Sequence, residues 1–135
     1  MGRDSLKEGV HIEVTAAKYF TETGCDIFWP LAGFTKSDFI RDDNGTLKRI
    51  QVKKVSWVQN NPAIPFRYLS VPLHHSKGEA YKKEDVDEVV LVDEDERIWV
   101  IPFEEIEGKK GLILDSTNPD YRPTVNYNPD DWRVR

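Results

Sequence analysis

The sequence predicts an α/β (α+β) domain, one amphipathic helix followed by mostly strands in a partly antiparallel sheet. Three features carry that expectation. Helical periodicity is confined to the first two dozen residues. Asn44-Gly45 separates two strand-like segments, and Asn-Gly is the strongest short-range hairpin signal a sequence offers. A second alternating pair lies on either side of the run Asp93-Glu94-Asp95-Glu96.

The elements follow in chain order. The spacing predicts a helix over 6–23, with Ser5 and Glu8 as a capping box and Gly24 as the stop. Leu6, Val10, Val14, Ala17 and Phe20 form its apolar stripe. Glu13 lies on that stripe, where a carboxylate costs desolvation unless a cation or donors meet it; the plain alternative is a side chain at the stripe's margin reaching solvent. "CDIFWPLAG" reads as a short strand and loop. Strands are expected over 37–43 and 46–55, and again in "FRYLSVPL" (66–73). "HHSKGEAYKKED" is a polar connection with some helical potential. Residues 86–102 read as a second hairpin turning at 93–96, "FEEIEG" as a short helix ended by Gly108, and "GLIL" as a last strand. From Ser116 the chain has three prolines and no period, an irregular C-terminal tail whose Tyr121, Tyr127 and Trp132 imply docking. This suggests a domain over 1–115 and an extension over 116–135 that packs on the domain or on a partner subunit.

Length and composition narrow the functional classes. At 135 residues, with 39% hydrophobic and 32% charged residues, the chain suits one globular core with a well-solvated surface. No apolar run approaches the ~20 residues needed to span a bilayer, and "MGRDSLKEGV" resembles neither a signal nor a transit peptide. A cytoplasmic protein without membrane contact is expected. Cys25, the single cysteine, excludes an intramolecular disulfide or a Cys-based zinc site and reads as a core residue. The chain has no phosphate-cradling Gly loop and no Ser or Cys nucleophile motif, which disfavours ATP-dependent and acyl-transfer chemistry. His74 and His75 are adjacent, so they read as loop or nucleic-acid-contacting residues rather than ligands of one metal. The 93–96 run lacks the spaced ligands of a calcium loop and reads as a solvated turn. Charge is unevenly spread: residues 1–83 carry net +4 and residues 84–135 net −9. That asymmetry hints at one side facing a polyanion.

The stretch "KSDFIRDDNGTLKRIQVKKV" holds the chemistry. A two-residue loop at Asn44-Gly45 pairs Asp43 with Thr46, Arg41 with Lys48, and Phe39 with Ile50, which puts Asp38 opposite Gln51. Cross-strand Cβ atoms in such pairs are about 4.5–5.5 Å apart. Alternation gives Asp38, Gln51 and Lys53 one face, and Phe39, Ile50 and Val52 the other. Asp38 and the Gln51 amide oxygen are hard ligands suited to Mg²⁺, with the Lys53 ammonium beside them and Glu13 available from the helix. The plain alternative is an exposed hairpin with a polar face.

The constellation resembles the PD-(D/E)XK nuclease superfamily, in which an acid near a strand start is followed across a hairpin by (D/E)-x-K. Here "SDFI" supplies the first half, "QVK" the second, and "GVHIEVTAAKYF" the helix. Ser37 stands where the family has proline, and Gln51 where it has an acid. The Q-x-K form in "RIQVKK" is similar to group I intron-encoded homing endonucleases, themselves related to archaeal Holliday-junction resolvases.

The resemblance implies a restriction-endonuclease-like core, a mixed β-sheet flanked by helices. It implies a metal-dependent DNA endonuclease, with Glu13, Asp38 and Gln51 on Mg²⁺ (or Mn²⁺ as a substitute) and Lys53 as electrostatic catalyst. Site-specific homing is the first expectation, a junction resolvase the second, and a non-catalytic DNA-binding or protein-interaction module on the same fold the alternative from another class. Double-stranded DNA would meet Lys36, Arg41, Lys48, Arg49, Lys54, Arg67, Lys77, Lys82 and Lys83. "WVQNNPAIPFRY" and the Asn-rich tail carry residue types that read bases. Cutting both strands implies a homo-oligomer, a dimer or a tetramer.

Overall fold

The computed structural model describes residues 2–32, 36–59, 62–74, 78–121 and 128–135, with side chains from residue 7 onward. The side chains of Ser5, Leu6, His75, Lys77 and Tyr127, each given a part above, lie outside the described residues. The elements in order are α1 (Gly2–Glu22), β1 (Asp26–Phe28), β2 (Phe39–Asp43), β3 (Thr46–Lys54), β4 (Ser56–Val58), β5 (Tyr68–Pro72), β6 (Glu88–Val92), β7 (Ile98–Pro102), α2 (Phe103–Ile106) and β8 (Gly111–Ser116), then a 3₁₀ turn at Pro129–Asp131.

Five strands form the main sheet in the order β1-β2-β3-β6-β7, and β4-β5-β8 form a second. The β2–β3 hairpin has the register that the sequence predicts, with Asp43 opposite Thr46 and Phe39 opposite Ile50. Asn44 and Gly45 both take positive φ, at 52° and 95°, as a two-residue hairpin loop of matching twist requires. β3 pairs with β6 in parallel, Ile50 to Glu88 through Lys54 to Val92, which makes the sheet mixed.

The main sheet is the middle layer. On one face, Ala16, Ala17 and Phe20 of α1 pack on Phe39, Ile50, Val52, Val90, Val92 and Ile98. On the other, Val89, Leu91, Trp99 and Ile101 meet Leu69, Val71, Leu112 and Leu114 of the second sheet. Every residue of β6 is therefore buried, and its apolar residues each stabilise the fold by roughly 1.5–3 kcal/mol. After β3 the Val55 N–H donates to the Val92 carbonyl at 2.9 Å, and the chain then crosses into the second sheet as β4.

The main sheet is mixed as expected, with α1 packed on one face and the three-stranded sheet on the other. Three expectations change. The helix starts near Gly2, so Ser5 lies within it and is not its cap. Its buried residues are Thr15, Ala16, Ala17 and Phe20, with Glu13 half-buried, whereas Val10 and Val14 are 59% and 54% exposed. Small Ala16 and Ala17 let the backbone approach the sheet closely, and that fit outweighs the apolar character of two valines. Among the described residues of 74–85 there is no helix.

The tail is ordered where it is described. Val100 N–H donates to the Trp132 carbonyl at 2.9 Å and Val134 N–H to the Ile98 carbonyl at 2.8 Å, so residues 132–135 line the outer edge of β7. Trp132 packs against the core and Tyr121 sets its ring edge-on to Tyr68. An exposed edge is thereby covered. Among the described residues no helix is long and apolar enough to cross a membrane.

Candidate active site

Pairing of β2 with β3 ends at Phe39, but β3 runs on to Lys54, held from its other side by β6. The site forms where the two strands part. Asp38 N–H still donates to the Ile50 carbonyl at 2.7 Å. Its carboxylate then takes the place of the missing strand. Asp38 Oδ2 accepts the Val52 N–H at 2.7 Å and the Gln51 Nε2 amide at 3.0 Å.

Glu13 arrives from the buried face of α1 and shares a hydrogen bond with Asp38. Its pKa is pushed up to about 7, first by burial, then by the negative charge of Asp38 and by that hydrogen bond. Lys53 approaches from the opposite face of the sheet. Its Nζ donates to the His74 carbonyl at 2.9 Å and lies 5.8 Å from the centroid of the Tyr81 ring. Burial lowers its pKa and Asp38 partly restores it. Glu13 and Gln51 thus meet at Asp38, just before the start of β2, and Lys53 lies near enough to feel the Asp38 charge.

Tyr81 was not among the expected site residues. It is 9% exposed, and burial, with Asp38 second, raises its phenol pKa well above the ordinary tyrosine value. No spacing rule points to it. The only sequence signal is an aromatic residue alone in a polar stretch.

The model for the family described as PD-(D/E)XK endonuclease matches residues 4–134. This chain belongs to the PD-(D/E)XK endonuclease family. Protein 5.3 of Escherichia phage T7 is 28% identical over 111 residues, 82% of this chain and 90% of that protein. Among solved structures, the bacterial homing endonuclease I-Ssp6803I superposes with a TM-score of 0.76 at 20% identity, covering 98% of this chain and 89% of that one. That likeness establishes the shared fold.

Within this PD-(D/E)XK chain, the donor chemistry suits a hard divalent cation. Two carboxyls set side by side would gain by sharing a doubly charged ion, and Mg²⁺ takes one or two carboxylates while keeping waters. Among the described residues no group of three His, Cys, Asp or Glu converges. That follows from Gln51, whose amide offers oxygen without charge; its nitrogen now faces Asp38, so a cation there requires the amide to present its oxygen instead.

The basic residues divide by partner. Lys36 pairs with Glu79 at 3.2 Å and lies 4.0 Å from Asp85, and Lys54 pairs with Glu8 at 3.3 Å. Arg49 binds Asp87 and the carbonyls of Glu84 and Lys83. Arg41 departs from the expectation of a surface contact. Its guanidinium grips Glu88 at 2.7 and 3.1 Å and stacks 4.9 Å from the centroid of the Phe20 ring. Strand alternation explains this, since Arg41 shares the α1-facing side with Phe39, opposite to Gln51 and Lys53. Arg67, Lys82 and Lys83 are exposed and Lys48 is half-buried.

Proposed function

We propose that this chain is a metal-dependent DNA endonuclease that hydrolyses phosphodiester bonds at specific sites, in the manner of a homing endonuclease. The observation that carries the reading is the meeting of Glu13 and Asp38, with the Glu13 carboxyl held protonated to higher pH by burial and by Asp38, and with the Lys53 ammonium on the far side. Glu13 and Asp38 would hold Mg²⁺, or Mn²⁺ in its place, with the Gln51 amide oxygen as a neutral third ligand. Such an ion, when bound, would supply Lewis acidity at a phosphate oxygen and lower the pKa of a bound water. Asp38 is held in place by the Val52 N–H, so its oxygens need no reorganisation during reaction. Lys53 offsets the negative charge that develops on the pentavalent phosphorane.

DNA affinity falls to the cations that are not gripped inside the fold, Lys48, Arg67, Lys82 and Lys83, with Lys36 and Lys54 released from surface ion pairs worth little in water. One such site hydrolyses one strand, so cleavage of a duplex calls for a homo-oligomer whose two-fold axis matches that of DNA. The purified protein with Mg²⁺ should linearise plasmid DNA, and Lys53→Ala should not. Light scattering should show at least a dimer. Cleavage confined to four-way junctions would instead favour a resolvase, and tight binding without cleavage at any Mg²⁺ or Mn²⁺ concentration would defeat the catalytic reading.

A further inference from the structure

Lys53 is held from a segment that none of the motif residues belongs to. After β5 the chain passes through Leu73 and His74, and His74 forms an antiparallel bridge with Ala80. The bridge brings two groups to Lys53 at once. The His74 carbonyl accepts its N–H at 2.9 Å, and the Tyr81 ring lies 5.8 Å from Nζ. Tyr81 is itself fixed, 9% exposed among Leu69, Val71, Leu73 and Phe103 of the core.

We propose that Tyr81 is a positioning residue, its ring and the neighbouring His74 carbonyl together setting where the Lys53 ammonium stands. A four-carbon side chain has many rotamers, and a half-buried ammonium without partners would turn to solvent. A carboxylate would hold it but would cancel its charge. A carbonyl and an aromatic face hold it while the full positive charge remains, since the ring offers only its quadrupole. The ammonium has three N–H donors and the carbonyl takes one, so donor capacity remains for a phosphate oxygen. Asp38 lies close enough for its charge to act on the Tyr81 phenol. The arrangement relies on the π face and not on the hydroxyl, and this makes it separable from ordinary packing.

The catalytic meaning of the inference rests on the nuclease reading above, whereas the geometry does not, so the test has two arms. In protein carrying ¹³C-labelled lysine, the Lys53 Hε protons should be shifted upfield by the Tyr81 ring current in the wild type and in Tyr81→Phe. The shift should vanish in Tyr81→Leu. In cleavage assays Tyr81→Phe should stay within about threefold of wild type, while Tyr81→Leu should lose about 10- to 100-fold in kcat with the Kd for DNA unchanged. A wild-type Lys53 shift in Tyr81→Leu overturns the proposal, and so does equal loss of the shift in both variants. Because the spectra are read without DNA or metal, a wild-type protein that cleaves nothing sinks the nuclease reading and leaves this arm to decide the positioning.

Discussion

The Asp38 carboxylate lies 2.7 Å from the backbone nitrogen of Val52. The carboxylate proposed to hold the metal therefore also completes the ladder of β3 where β2 has left it. Asp38→Asn keeps an oxygen acceptor for the Val52 N–H and removes the charge, so it should abolish cleavage with Tm nearly unchanged. Asp38→Ala should abolish cleavage and also cost about 1–3 kcal/mol, because a half-buried donor loses its partner. Denaturant titration of the two variants distinguishes these effects. Equal stability would mean that the Val52 contact is replaced by water.

Gln51→Glu adds a third carboxylate beside Glu13 and Asp38 and removes the amide donor that now bonds Asp38 at 3.0 Å. The metal-free variant should be less stable by about 1–2 kcal/mol from like-charge repulsion. Mg²⁺ should recover that loss, and the Mg²⁺ midpoint for cleavage should fall. Thermal melting with and without Mg²⁺ reads both. A melting curve unresponsive to Mg²⁺ would remove residue 51 from the metal site.

The raised pKa of Glu13, about 7, has a defined sign. Between the ordinary glutamate range and pH 7 the folded protein binds more protons than the unfolded chain, so this group's contribution to stability falls as pH rises through that window. The side chain is partly exposed, so the loss should be of order 1 kcal/mol after solvent screening. Glu13→Gln should flatten that slope in the metal-free protein. At the proposed metal site protons and Mg²⁺ would compete for the same oxygens, so at low Mg²⁺ cleavage by the wild type should decline as pH falls below 7. Calorimetry across pH 4–8 on both proteins provides the check.

Arg41 and Arg67 should behave oppositely despite carrying the same charge. Glu88 is 8% exposed and holds Arg41 with two short bonds. Arg41→Ala should destabilise by about 3–5 kcal/mol, leaving a buried carboxylate unpaired, with DNA affinity per folded molecule unchanged. Arg67→Ala should leave Tm within a degree or so and reduce the salt slope of DNA binding by about 1. Fluorescence anisotropy over a salt series separates them.

The β2–β3 hairpin was legible from local rules alone. Asn44-Gly45 sets the loop length, the loop length sets the register, and a period of two decides which residues share a face. Asp38, Gln51 and Lys53 could therefore be placed together without knowledge of the rest of the fold, and Glu13 drew notice as an acid on an amphipathic helix. Periodicity misjudged which side of that helix is buried. It weighs residues by apolarity, whereas the sheet selects for close approach, and so Ala16 and Ala17 lie inside while Val10 and Val14 face out. The partners of Arg41 and Lys53 were beyond any local rule. Glu88 reaches Arg41 only because β6 enters the sheet in parallel next to β3, and His74 and Tyr81 reach Lys53 only because a second sheet covers that face. Local periodicity encodes which side chains share a surface; what that surface meets depends on contacts distant in sequence, chosen by the packing of the whole core.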